Sequence, residues 1–298
     1  CAPIFKLLEI SNTINEKTIS ISVNEAQRMR VNTETGKYVL MCNKTEEFPD
    51  ERQFNEEITK ISTRFLKDAI QNTTYACSKD ELKPTLNGVL FNVSSTSITT
   101  VATDGHRLVK YIAQQENTNA HDLLIPQKFL NIIGGGPINT KKAELKIYKD
   151  YAKIEVAGTK ISTRLISEKF PDYENVIPKE NQNTTKVETK NLLDSVKKVS
   201  LMSNKTTKQV VLQIQNNKIN ILAEDHDTGG SATDEIQAQH TGDTISIGFN
   251  GTLLLEILKH QKTEKLNLLT SSPLSATIFK QEGEKGTETT TLLMPIRI

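Results

Sequence analysis

The feature that most constrains this chain is an internal repeat. Glu47-Phe48-Pro49-Asp50 returns as Lys169-Phe170-Pro171-Asp172, which puts Pro49 and Pro171 122 residues apart. Gly36 and Gly158 share that spacing, and Leu7, Leu130 and Leu254 recur at 123 and 124. Thr63, Leu66, Asp68 and Ile70 match Thr189, Leu192, Asp194 and Val196, each 126 later, while Asp104 and Asp225 lie 121 apart. Self-similarity at a fixed period means copied structural units. A period near 123 in 298 residues predicts two whole units and the second half of another. The expected boundaries are 1–52, 53–178 and 179–298, with about 71 residues of the first unit lacking. A chain that begins at Cys1 rather than Met fits that expectation.

Within a unit the pattern reads helix, strands, helix, strands. Helices are predicted from Pro3 to Ile10, Pro126 to Ile133 and Asn250 to Ile257. Another is predicted over 189–204, where Leu192, Val196 and Val199 fall at i, i+4 and i+7 and Thr189 reads as N-cap. Period-two alternation at Ile19/Ile21/Val23, Leu145/Ile147, Ile154/Val156 and Ile219/Ile221 predicts strands. Asn216-Asn217 between two such runs predicts a hairpin turn, since Asn tolerates positive φ. Gly134-Gly135-Gly136-Pro137 should end a helix. The fold class is therefore α+β: tandem domains, each with short helices on one face of antiparallel sheets.

Charge narrows the function. With 37 Lys+Arg against 36 Asp+Glu the net charge is +1, so any nucleic-acid affinity must come from local patches. On the 189–204 helix, Lys190 and Lys197 oppose the apolar stripe and Lys198 flanks it. Taken singly this is a solvated basic face. Lys6, Lys67, Lys128, Lys259 and Lys262 put charge on the other repeat helices, and repeats closing around an axis would align these faces towards a polyanion. No apolar run approaches the roughly 20 residues of a membrane span. Cys1, Cys42 and Cys77 give neither a disulfide framework nor a zinc spacing, so a reducing cytoplasm is the expected setting.

Catalytic signatures are lacking: no phosphate loop, no H-E-x-x-H and no nucleophile elbow. The richest polar cluster is Thr103-Asp104-Gly105-His106-Arg107-Leu108. Asp104 and His106 could act as base and orienter in a hydrolase. A turn built by Asp and Gly, with Arg107 bonding carboxylates or carbonyls, fits better. The next unit has Glu224-Asp225-His226-Asp227 at that place, so the cluster belongs to one unit alone. No catalytic residue, metal or cofactor is expected.

The run Val101-Ala102-Thr103-Asp104-Gly105-His106-Arg107-Leu108, with Phe170-Pro171-Asp172-Tyr173, Ile247-Gly248-Phe249-Asn250 and the terminal Leu293-Met294-Pro295-Ile296-Arg297-Ile298, resembles the bacterial DNA polymerase III beta subunits, the sliding clamps. The resemblance covers the whole chain. It implies three α+β clamp domains per chain, arranged as part of a two-chain ring around duplex DNA. It implies a non-catalytic processivity subunit whose partners are double-stranded DNA, the DNA polymerase III alpha subunit, the clamp loader and other clamp-motif proteins.

The resemblance also implies residues. A pocket between the second and third domains takes partner peptides. Its matching positions include Leu86, Thr103, Gly105, His106, Arg107 and Leu108. They also include Pro171, Asn175, Val176, Asn250, Leu253 and Ser275, with Leu292, Leu293, Met294, Pro295, Ile296 and Arg297. Asn175 stands where the family often has Arg, Leu253 where an aromatic can occur, and Pro273 replaces an aliphatic. DNA-facing positions are Lys67, Lys83, Lys128, Lys190, Lys197 and Lys198. The dimer interface matches Tyr38 and Leu40 on a strand and Leu201 and Met202 at a helix end. Two readings outside this family remain open: the Asp104/His106 hydrolase and a scaffold that does not bind DNA.

Overall fold

A computed structural model describes residues 1–48, 57–116, 120–135, 144–156, 158–283 and 286–298. Two compact units are present, Cys1–Phe54 and Asn55–Ile298.

The first unit holds α1 (Ile4–Thr13) and an antiparallel sheet of β1 (Ser20–Val23), β2 (Arg28–Asn32) and β3 (Lys37–Met41). The strands pair in sequence order, so β1 and β3 are its edges. Val31 is buried, but Ile4, Phe5 and Leu8 on α1 and Ile21, Val23, Val39 and Met41 on the strands are exposed. The apolar spacing suits a core, yet one short helix and three strands leave most of these side chains uncovered.

The second unit contains two modules of the same order. The first runs β4 (Thr59–Ser62), α2 (Thr63–Thr73), β5 (Gly88–Val93), β6 (Ser97–Thr103), β7 (Arg107–Gln114), β8 (His121–Pro126), α3 (Gln127–Gly135), β9 (Glu144–Ile147), β10 (Tyr151–Val156) and β11 (Thr159–Arg164). The second runs β12 (Asn183–Glu188), α4 (Thr189–Val199), β13 (Gln209–Gln215), β14 (Lys218–Asp225), β15 (Gly230–Gln237), β16 (Gln239–Thr241), β17 (Ile245–Asn250), α5 (Gly251–Lys259), β18 (Lys265–Thr270), β19 (Thr277–Gln281) and β20 (Thr287–Leu293). The strand orders β7-β6-β5-β8 and β11-β10-β9-β4 reappear as β15-β14-β13-β17 and β20-β19-β18-β12. The helices sit on these sheets, and the buried residues follow the repeat. Leu66 and Leu130 in one module, like Leu192 and Leu254 in the other, are fully enclosed. Each contributes roughly 2 kcal/mol by leaving water.

One pairing joins the modules. β20 lies antiparallel to β7, with Leu292 opposite Leu108 and Leu293 opposite Arg107, so a nine-stranded sheet runs through both. A buried cluster of Leu90, Val101, Leu108, Leu124, Phe170, Ala276 and Leu292 spans the joint.

Local expectations meet the structure in detail. Asn216 and Asn217 take φ of 43° and 63° between β13 and β14. Leu192, Val196 and Val199 are the buried stripe of α4. Two expectations need correction. Thr189 is not the N-cap: Glu188 is, and Thr189 is the first helical residue. Strand pairing explains it, because β12 extends to Glu188 and the Thr189 amide still donates to Glu264 O at 2.9 Å. The helix also stops at Val199, followed by a single 3₁₀ turn, Ser200–Met202, rather than reaching 204. The Ser200 hydroxyl there donates to Val196 O at 2.6 Å, which competes with continuation. Pro49 and Asp50 of the first repeat copy, and Gly136-Pro137, lie outside the described residues.

Candidate peptide-binding site

The site grows from the turn between β6 and β7. Asp104 Oδ1 accepts from the backbone amides of His106 and Arg107, both at 2.9 Å. Thr103 Oγ1 accepts from the Gly105 amide at 3.1 Å and donates to Arg107 O at 2.6 Å. Gly105 adopts φ +91°, which side-chain-bearing residues rarely take. The side chain of His106 is thereby held out in solvent. The equivalent turn after β14 uses Asp225 in the same way, its Oδ1 accepting from the Asp227 amide at 3.3 Å.

Arg107 points inward and is 4% exposed. Its Nε donates to Asp104 Oδ2 at 3.0 Å, one terminal nitrogen to Glu256 Oε2 at 2.8 Å, and the other to Tyr75 O at 2.6 Å. The guanidinium carbon lies 5.3 Å from the Tyr75 ring centre. One planar fork thus ties three acceptors from both modules. Asp104 is spent on the turn and this fork, which removes the Asp104/His106 hydrolase reading. Among the described residues, no group of three or more His, Cys, Asp or Glu could hold a metal ion.

Over this turn lies a cavity of ≈ 250 Å³. Of the expected residues, Leu86, Thr103, Gly105, His106, Arg107, Leu108, Pro171, Val176, Leu292 and Met294 line it. Met294 is held by its amide, which donates to His106 O at 2.8 Å. The floor is the buried cluster at the β7–β20 joint. The structure adds Asp172 and Tyr173, which follow Pro171 in the chain. Burial, then the nearby Glu174, Asp122 and Asp172 carboxylates, pushes the Tyr173 hydroxyl up to about 12.

The remaining expected residues do not line this cavity. Asn175 is exposed and donates to Asp172 Oδ2 at 2.7 Å. Asn250 caps α5, its Oδ1 accepting from the Thr252 amide at 3.0 Å. Leu253 is half-buried against the second module's core, and Leu293 is fully inside it. Ser275 bonds Ser272, hydroxyl to hydroxyl, at 2.7 Å. Pro295, Ile296 and Arg297 form the tail. The Ile296 amide donates to Gly248 O at 2.8 Å, and Arg297 O accepts from Gln209 Nε2 at 3.0 Å.

The expected basic residues are all exposed: Lys67 on α2, Lys128 on α3, Lys190, Lys197 and Lys198 on α4, and Lys83 before the turn Pro84–Asn87. Lys198 reaches Asp234 at 3.4 Å. Tyr38 and Leu40 lie on the edge strand β3 of the first unit. Leu201 and Met202, on the 3₁₀ turn after α4, are 80% and 47% exposed. Tyr75, Glu256 and His260, which no sequence motif marks, join at the back of the site.

Residues 60–172 match the family model for the DNA polymerase III beta subunit central domain, and residues 174–297 match that for its C-terminal domain. The beta sliding clamp of Haemophilus influenzae is 25% identical over 302 residues, covering 99% of this chain and 81% of that protein. That of Buchnera aphidicola is 27% identical, covering 93% and 76%. Among solved structures, the sliding clamp of Pseudomonas aeruginosa has a TM-score of 0.84 at 23% identity, covering 100% of this chain and 81% of that one. The clamp of Bacillus subtilis has a TM-score of 0.86 at 21% identity, covering 100% and 79%. The modules, their order and these matches agree: the chain belongs to the DNA polymerase III beta subunit family.

Proposed function

We propose that the chain works as a sliding clamp, encircling duplex DNA with a second copy and tethering polymerases through short peptide motifs. The family is non-catalytic, a processivity subunit with DNA and a polymerase as partners. The observation that carries the reading is the joint between modules. One module's first-sheet edge, β7, takes the next module's second-sheet edge, β20. The same rule leaves β15 open as a first-sheet edge, and β3 is a second-sheet edge in a helix-then-three-strands unit. Two copies pairing β3 with β15 would form a closed homodimer, with Tyr38, Leu40, Leu201 and Met202 at the seam. The domain boundaries proposed are 1–52, 53–178 and 179–298.

The mechanism needs no catalysis. A closed ring holds DNA topologically, so its lysines need only a weak, register-free attraction to phosphates. Lys67, Lys128, Lys190, Lys197 and Lys198, on the solvent faces of helices, suit that task, with Lys83 as a contact outside the hole. The cavity at Met294 and Leu292 would take an apolar motif from the DNA polymerase III alpha subunit, the clamp loader and other motif-bearing proteins. Tethering raises the polymerase's effective concentration at the primer end. The setting proposed is the cytoplasm.

Retention on circular but not linear DNA after loading tests the ring. Equal retention on both would favour a scaffold that does not encircle DNA.

A further inference from the structure

We propose that the cavity selects partner peptides that carry a positively charged side chain beside their apolar anchors, with Asp172 as the residue that reads it. This rests on the peptide-pocket reading and names its partner chemistry. Of the cavity's charged lining residues, Arg107 is neutralised from behind by Asp104 and Glu256. Glu174, close to the cavity on the chain after Tyr173, is paired with Lys110 at 2.5 Å. Asp172 differs. Among the described residues its carboxylate bonds only the neutral amide of Asn175, at 2.7 Å. The charged groups in contact here are therefore two cations, Arg107 and Lys110, against four carboxylates: Asp104, Asp172, Glu174 and Glu256.

An acidic peptide residue at this rim meets an unneutralised carboxylate, whereas a lysine or arginine finds one. Asn175 leaves that charge in place, because an amide orients a carboxylate without cancelling it. The pair would sit at an exposed rim, so its worth is modest and screened by salt.

The test uses the full chain and synthetic hexapeptides with leucine and phenylalanine anchors. Lysine, glutamine or glutamate is placed at each flanking position in turn, and binding is read by fluorescence anisotropy. At one flanking position the lysine peptide should bind about threefold tighter than the glutamine peptide and the glutamate peptide more weakly still. The lysine-to-glutamine ratio should fall towards one in 0.5 M salt and in Asp172→Asn. Equal binding of all three, an acidic preference, or a lysine preference that survives both Asp172→Asn and salt would overturn the proposal. Failure of every peptide to bind would instead overturn the pocket reading, and this inference with it.

Discussion

The ring of Tyr75 stacks on that of His260, centroids 3.8 Å apart and planes 11° from parallel. Tyr75 comes from the 3₁₀ turn after α2 and His260 from the C-cap of α5, so the stack crosses between modules. His260 Nδ1 is 2.7 Å from Glu256 O, which fixes the ring. Burial raises the Tyr75 hydroxyl well above its ordinary value, and Tyr75 packs on both module cores. Tyr75→Ala should cost about 3–5 kcal/mol by opening a cavity. His260→Ala should cost less, about 1–2 kcal/mol, the stacking together with the Nδ1 contact to Glu256 O. Urea unfolding of the two variants measures both values.

Arg107 should resist conservative replacement. Arg107→Ala strands Asp104, Glu256 and Tyr75 O. Because Glu256 is more than a third exposed, the loss should be about 2–3 kcal/mol, below that of a fully buried pair. Arg107→Lys should recover less than half, since an ammonium cannot span three acceptors set by a planar fork. Thermal unfolding ranks the three proteins, and recovery of full stability by lysine would refute the fork argument.

Gly248 lets the C-terminal tail lie on β17. A Cβ there would stand 2.9 Å from Ile296 O and 3.1 Å from Ile298 Cγ1. Gly248→Ala should therefore displace the tail, costing about 1–3 kcal/mol as overpacking. It should also weaken peptide binding, because Met294 belongs to the same tail. Hydrogen exchange of the Met294 and Ile296 amides should accelerate in the variant.

Asp225 predicts an acid limb in stability. Its carboxylate accepts from Thr228 Oγ1 and Asn204 Nδ2, both at 2.7 Å, and these bonds, Thr228's foremost, hold its carboxyl below the usual carboxylate range. Between the lowered folded value and an unfolded value near 4, the unfolded chain binds the extra proton. The contribution is thus whole above about pH 4 and is lost as pH falls through the folded value. Asn204→Ala should flatten that decline, which a series of urea midpoints from pH 6 to pH 2 would detect.

Leu201 and Met202 carry the dimer reading. Leu201→Asp should leave circular dichroism unchanged, since the side chain is mostly in solvent. In sedimentation it should shift the proposed dimer towards monomer, because a charge would be desolvated at the seam.

The repeat, the helices and the hairpin at Asn216-Asn217 could all be read from the chain because their causes are local. Apolar spacing reports which face is buried, and Asn reports positive φ. The Thr103–Leu108 turn was readable for the same reason, its bonds lying within five residues. The end of α4 was not, because the Ser200 hydroxyl competes there with a helical signal that continues past it. Tertiary structure alone decided that β20 would pair with β7, that Glu256 would meet Arg107 from 149 residues away, and that Tyr75 would stack on His260. Edge pairing and polar contact between distant residues depend on how modules are set against each other, which no local spacing encodes. The pocket wall belongs to that second class: Asp172 is visible in the chain, but its pairing with the neutral Asn175 amide is a property of the folded surface.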